Sequence, residues 1–209
     1  MSLPKVVIID RENANINSLK NAILHVKKCN LEVTSDFSKI EKSDYLVLAG
    51  VGAFRDGMED LKNKRIIEVL TEQALVRKKP FLGICLGMQM LFSESFENGK
   101  HEGLGLIPGS VRYLDLDKKF RVPHVGWNDI SYDVSTKIFK NLGKDKNFYF
   151  VHSYHAVCKQ DFIIAKADYG MDITAAVQFE NILGFQFHPE KSQENGMTLL
   201  TNFLSGEYY

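Results

Sequence analysis

Gly83-Ile84-Cys85-Leu86-Gly87 stands where an apolar, strand-like run (residues 81–84) gives way to a helix-like one (residues 86–92). A cysteine at a strand-to-helix turn has the layout of a nucleophile elbow, with sulfur in place of a serine oxygen. Glycine on either side lets neighbouring backbone pass close by. The start of a helix adds unpaired N–H groups and positive potential, both of which favour a thiolate. The pentapeptide alone also fits an inert, buried cysteine between two packing glycines. A thiolate nucleophile needs a proton shuttle and a group that orients the shuttle. Gly184-Phe185-Gln186-Phe187-His188-Pro189-Glu190 offers both: His188 ends another strand-like run, Glu190 follows two residues on, and Pro189 fixes the backbone between them. Gly50-Val51-Gly52, at the end of the run over residues 45–48, can present backbone N–H groups to a developing oxyanion. The N–H of Leu86 would complete that hole.

These residues need elements to hold them. Residues 5–9 (KVVII) form a β-branched run suited to a doubly buried parallel strand, and Ile16, Leu19, Ile23 and Val26 then recur at helical spacing. Residues 31–34 and 45–48 read as strands, residues 66–75 as the apolar face of a second helix, and Arg77-Lys78-Lys79-Pro80 as its stop. The resulting β-α-β-β-α-β-α order predicts a parallel sheet with helices on both faces. The second half is richer in strands: residues 110–113, 120–122, 147–151, 162–168, 175–179 and 183–187, before a closing helix over residues 197–204. The fold class expected is α/β, an open and mostly parallel central sheet with added antiparallel strands in the C-terminal half. Residues 1–209 are expected to form one domain, the strand-rich half continuing a single sheet.

Composition narrows the function. The 209 residues carry 26 Lys+Arg against 26 Asp+Glu and are 44% hydrophobic. Even charge argues against nucleic-acid binding and against a polybasic membrane surface, and near-neutrality favours association with another protein. Cys29, Cys85 and Cys158 are odd in number and far apart, which fits neither a disulfide framework nor a paired metal motif. His152 and His155 lie three apart with no pattern of further ligands beside them. No metal and no cofactor is expected. MSLPKVVIID lacks the h-region of a signal peptide, and no apolar run is long enough for a membrane span, so the expected location is cytoplasmic.

Together the elbow, the glycine segment and the His-x-Glu pair resemble the class I (triad-type) glutamine amidotransferases. Pro123-His124-Val125-Gly126-Trp127-Asn128, Phe148-Tyr149-Phe150-Val151-His152-Ser153-Tyr154 and Phe187-His188-Pro189-Glu190-Lys191-Ser192 narrow the likeness. With the GLGLIPG stretch of residues 103–109, they are similar to the glutaminase subunits of imidazole glycerol phosphate synthase, from histidine biosynthesis. The resemblance runs from Lys5 to Leu204. It implies that Cys85 attacks the side-chain amide of L-glutamine, His188 shuttles the proton and Glu190 holds its tautomer. It further implies that Gln89, Ser153 and Tyr154 bind the substrate. Ammonia would pass to a separate (β/α)8-barrel cyclase subunit, which makes imidazole glycerol phosphate and aminoimidazole carboxamide ribotide. Asn15, Trp127, Asn128 and Lys191 would face that partner.

Two positions depart from the family. Ala49 replaces a proline ahead of Gly50-Val51-Gly52. The first loop reads Asp10-Arg11-Glu12-Asn13-Ala14-Asn15, without the family's tyrosine and two glycines, although it is expected to face the synthase. That loop motivates an alternative, a paralogous glutaminase supplying ammonia for acetamidino groups on a bacterial surface sugar. A non-catalytic scaffold subunit would show a broken triad, and all three triad positions are intact.

Overall fold

A computed structural model describes residues 3–11 and 16–209, so the expectation for Asn15 lies outside the described residues. β1 (Lys5–Ile9) is buried at four of its five positions, and α1 (Ile16–Val26) buries Leu19, Ala22 and Ile23. There follow β2 (Asn30–Thr34), α2 (Phe37–Lys42), β3 (Tyr45–Gly50), α3 (Phe54–Asn63) and α4 (Ile67–Thr71), the last extended by a π turn. β4 (Phe81–Cys85) is buried throughout and runs directly into α5 (Leu86–Met90). α2 and α3 are additions to the order read from the sequence. The first is six residues long with one buried side chain, Ile40, and the second (FRDGMEDLKN) is dominated by charge, so neither carries a strong apolar period.

The remaining strands are β5 (Phe92–Ser95), β6 (His101–Glu102), β7 (Ile107–Tyr113), β8 (His124–Tyr132), β9 (Asn147–His152), β10 (Tyr154–Cys158), β11 (Ile163–Asp168), β12 (Asp172–Phe179) and β13 (Ile182–Phe185). A 3-10 turn (Pro189–Lys191) and α6 (Gln193–Ser205) follow. Nine strands form one sheet in the order β2-β1-β3-β4-β13-β12-β11-β8-β9, parallel from β2 to β13 and antiparallel beyond. α1 and α6 supply Leu19, Ile23, Leu200 and Phe203 to the core on one face. Phe54, Leu61, Leu70 and Met88 fill the other.

Three expectations are corrected. The strand-rich half does not all continue one sheet, because β10, β7, β5 and β6 form a separate four-stranded sheet. Its Phe92, Ile107, Val111 and Ala156 share a core with Met88 and Met90 of α5, so it buries its inner side on the helix layer. The helix expected over residues 86–92 stops at Met90, because Phe92 is taken into β5 beside Ile107. Residues 120–122 are not a strand: the Phe120 N–H closes a turn on the Asp117 carbonyl at 2.9 Å, and its ring packs on Tyr169 with centroids 5.3 Å apart. Pairing begins instead at His124, opposite His152 of β9.

The turn between β4 and α5 works only with glycine. A Cβ on Gly87 would lie 1.8 Å from the Leu48 carbonyl oxygen of β3, and one on Gly83 would lie 2.8 Å from the Gly87 carbonyl oxygen. Both obstacles are backbone, which cannot rotate aside. Gly87→Ala is therefore expected to lower unfolding free energy by about 3 kcal/mol, read from urea denaturation of the purified chain.

Candidate active site

Cys85 ends β4 beside Gly50, the last residue of β3, to which it is paired in register. Its backbone adopts φ 54° and ψ −112°, a conformation costing an L-residue about 1–3 kcal/mol and typical of functional turns. The side chain is nearly buried. Its thiol Sγ donates to the Val151 carbonyl at 3.8 Å, and Gln186 Nε2 donates to Sγ at 3.9 Å. Both are long contacts that place the sulfur without strongly engaging it.

His188 follows β13, the parallel neighbour of β4, and several bonds hold it. Its N–H donates to the Tyr149 carbonyl at 2.9 Å, and Ser192 Oγ donates to the His188 carbonyl at 2.6 Å. Ser192 Oγ also accepts the Tyr149 N–H at 3.0 Å. α6 packs directly on the turn that follows, since a Cβ on Gly196 would lie 1.8 Å from the Pro189 carbonyl oxygen. Glu190 Oε1 lies 2.8 Å from His188 Nδ1, with both side chains buried. The carboxylate accepts, so Nδ1 carries a proton and Nε2 is the atom free to exchange one. Among the described residues Nε2 meets no well-aligned hydrogen-bond partner, although the neighbouring Cys85 sulfur acts on it. Burial alone would lower the His188 pKa, but Cys85 and then Glu190 outweigh it and push the pKa up to about 10.

The glycine segment closes the third side. Gly50 is buried, Val51 is partly exposed and Gly52 has φ +97°. Behind Gly50 lies Arg11, whose Nη1 would be 1.8 Å from a Cβ at that position. Arg11 is 5% exposed and its Nε sits 3.9 Å from Asp60 Oδ2. Burial lowers its pKa against the pull of Asp60. The loop expected to face a partner thus turns its second residue, Arg11, into the core, under the glycine segment expected to hold the oxyanion. Glu12, Asn13 and Ala14 lie outside the described residues.

Gln89 Nε2 donates to the Tyr154 carbonyl at 2.9 Å and to Gln186 Oε1 at 3.1 Å, so it joins Tyr154 to Gln186, which follows β13 and itself reaches the Cys85 sulfur. Ser153 joins β9 to β10, and Tyr154 opens β10. Gln186 was given no role by sequence reasoning. Its signal is a fully buried amide between Phe185 and Phe187, which needs partners where it lies. Trp127 is 46% exposed and edge-on to Tyr149, with ring centroids 6.0 Å apart; Lys191 Nζ lies 5.5 Å from the same Tyr149 ring. Asn128 turns inward instead, donating to the Asp168 carbonyl at 2.9 Å.

The family described as glutamine amidotransferase class-I matches residues 7–206. This chain belongs to it. Among relatives of the amidotransferase, imidazole glycerol phosphate synthase subunit HisH 2 of Vibrio vulnificus (strain YJ016) is 47% identical over 96% of this chain and 94% of its own length. Subunit HisH of Aquifex aeolicus (strain VF5) is 40% identical over 95% of each. A glutamine amidotransferase structure from Thermotoga maritima shares the fold at TM-score 0.66 and 17% identity, covering 98% of this chain and 84% of that one. PurLQS from Thermotoga maritima aligns at TM-score 0.71 and 18% identity, over 97% and 98%.

Beside Cys85, His188 and Glu190, burial lowers the pKa of His124 to about 4. It lowers that of His152 to about 3, against the hydrogen bond to Tyr154. Below pH 6.5 the unfolded chain binds protons that these two rings refuse in the fold, so their contribution to stability falls with pH. His188 acts in the opposite sense: its contribution is full below pH 6.5 and is lost as pH rises through about 10. His124→Phe should flatten the acid decline of Tm between pH 7 and pH 4.5, and an unchanged slope would contradict the assignment.

Proposed function

We propose that Cys85, His188 and Glu190 are the triad through which this chain hydrolyses L-glutamine to glutamate and ammonia, as the glutaminase subunit of an imidazole glycerol phosphate synthase in histidine biosynthesis. The observation that carries the reading is a cysteine at positive φ on a glycine-flanked elbow, coupled to a buried histidine–glutamate pair at 2.8 Å. Whole-length likeness to subunits bearing the synthase name supports the destination, and the surface-sugar alternative is not favoured.

In this mechanism the Cys85 thiolate attacks the amide carbon of glutamine, and the carbonyl oxygen becomes an oxyanion. Donors from the Gly50-Val51-Gly52 backbone and the Leu86 N–H, in the unpaired first turn of α5, would receive it. Imidazolium His188 gives its Nε2 proton to the departing nitrogen, ammonia leaves, and a γ-glutamyl thioester remains. His188, now neutral at Nε2, takes a proton from water, which opens the thioester to glutamate and frees the thiolate. Glu190 keeps Nδ1 protonated throughout and stabilises each imidazolium. Gln89, Ser153 and Tyr154 hold the substrate. No step calls for a metal or cofactor.

Ammonia released into water is largely protonated and no longer nucleophilic, so the product favours a partner docked at the site. We place a (β/α)8-barrel cyclase subunit against Trp127, Asn128, Lys191 and Asn15. The half-exposed indole suits the centre of such an interface. We assign the chain to the cytoplasm; among the described residues no helix is long and apolar enough to cross a membrane.

Mixed with the cyclase subunit, the wild-type chain should hydrolyse glutamine, and Cys85→Ala should lose on the order of 10⁴-fold or more in kcat. Glutaminase surviving that change would refute the nucleophile. Glu190→Gln removes one of the groups that raise the His188 pKa, so the alkaline limb of the kcat profile should move to lower pH. An unmoved limb would separate Glu190 from the shuttle.

A further inference from the structure

A run of polar side chains outside the triad leads from β8 to the substrate-binding segment, and its geometry fixes the position of every proton. His152 Nδ1 lies 2.9 Å from the Tyr154 carbonyl oxygen, which can only accept, so Nδ1 is protonated and Nε2 is an acceptor. His124 faces His152 in register across β8 and β9, with its Nδ1 3.0 Å from that Nε2. His124 must therefore also carry its proton on Nδ1, leaving its own Nε2 as an acceptor. Asn128 Nδ2 lies 3.4 Å from His124 Nε2 and spends its other hydrogen on the Asp168 carbonyl. Each donor thus points from β8 towards Tyr154. The Tyr154 carbonyl accepts at the same time from Gln89, whose amide reaches Gln186 and through it the Cys85 sulfur.

We propose that the His124–His152 pair is a positioning relay: it holds the Tyr154 carbonyl, and with it Gln89 and the Ser153–Tyr154 segment, in the conformation that binds glutamine, and ties that conformation to the Trp127–Asn128 strand. The inference rests on the glutaminase reading above. The relay works only with both imidazoles neutral. A second proton on His152 would set two N–H groups face to face at 3.0 Å, and one on His124 would set its Nε2–H against the Asn128 amide at 3.4 Å. Burial, which lowers both pKa values, supplies that condition. Packing does not need this order. Stacking of His124 on Phe150 and Tyr169, with centroids 4.9 Å and 4.0 Å away, would be met by any ring of similar size.

The test is steady-state glutamine kinetics of the complex with the cyclase subunit. His124→Leu removes the donor to His152, and KM for glutamine should rise on the order of 3- to 10-fold, as for one hydrogen bond, with kcat much less affected. His124→Asn places an amide N–H near the position of Nδ1 and should restore much of the loss. A purely structural role would lower Tm and the fraction of alkylatable Cys85 while leaving KM alone. An unchanged KM in His124→Leu, or an Asn variant no better than Leu, overturns the relay. Should His124→Leu not fold, a cycle decides. His152→Asn keeps the donor to Tyr154 and cuts the link to His124, so adding His124→Phe, which keeps the ring packing, should have no further effect on KM, and additive effects overturn the relay. A wild-type complex without glutaminase activity would instead refute the function on which the relay depends.

Discussion

The site depends on how closely one short helix crosses one strand. α5 passes β3 with no room for a side chain at Gly87, and that approach forces the sharp turn at Cys85. The turn places the cysteine at positive φ, in register with Gly50, and opens the first unpaired N–H groups of α5 beside it. Such strain lasts only where the surroundings over-determine it. β4 is buried at all five positions between β3 and β13, both parallel to it, so the chain on either side of the turn cannot relax. Cys85, the Gly50-Val51-Gly52 segment and His188 then meet because β3, β4 and β13 are adjacent parallel strands ending at the same edge.

Three histidines in this region share burial and differ in what faces them. His188 has a carboxylate on one side and the Cys85 sulfur on the other, and its pKa rises despite desolvation. His124 and His152 meet a carbonyl, an amide and each other, and burial prevails. Environments that push like groups apart set the expected proton shuttle apart from the two hydrogen-bonded rings on one scaffold. The β8–β9 hairpin is needed for both roles, because Tyr149 and Val151 contact His188 and Cys85 while His152 reaches Tyr154.

The departures from the family fall around the oxyanion segment. Ala49 is paired with Ile84 inside β3, and unlike proline it retains a backbone N–H. Arg11 lies beneath Gly50 and also beside Gly57, where a Cβ would come within 2.8 Å of its Nη2. Its Nε and Nη1 have no hydrogen-bond partner among the described residues. A poorly satisfied buried charge costs stability. Its position links the first loop of this chain to the segment expected to hold the oxyanion.

The sequence by itself marked the candidate reacting groups and determined the parallel half of the sheet. Apolar β-branched runs leave few alternatives for β1, β3 and β4, and Gly-x-Cys-x-Gly at a strand end leaves few for an elbow. The His-x-Glu spacing was legible for the same reason, since a short turn at a strand end aims both side chains at one place. Only the tertiary structure decided the rest. α3 and α2 carry too little apolar period to announce themselves, and β5 splits from α5 because Phe92 finds a partner in Ile107. Gln186, His124 and Arg11 were silent because nothing local separates a working polar residue from a packed one. Their meaning comes from partners 28 to 101 residues away in the chain, brought within hydrogen-bonding or packing distance by the fold.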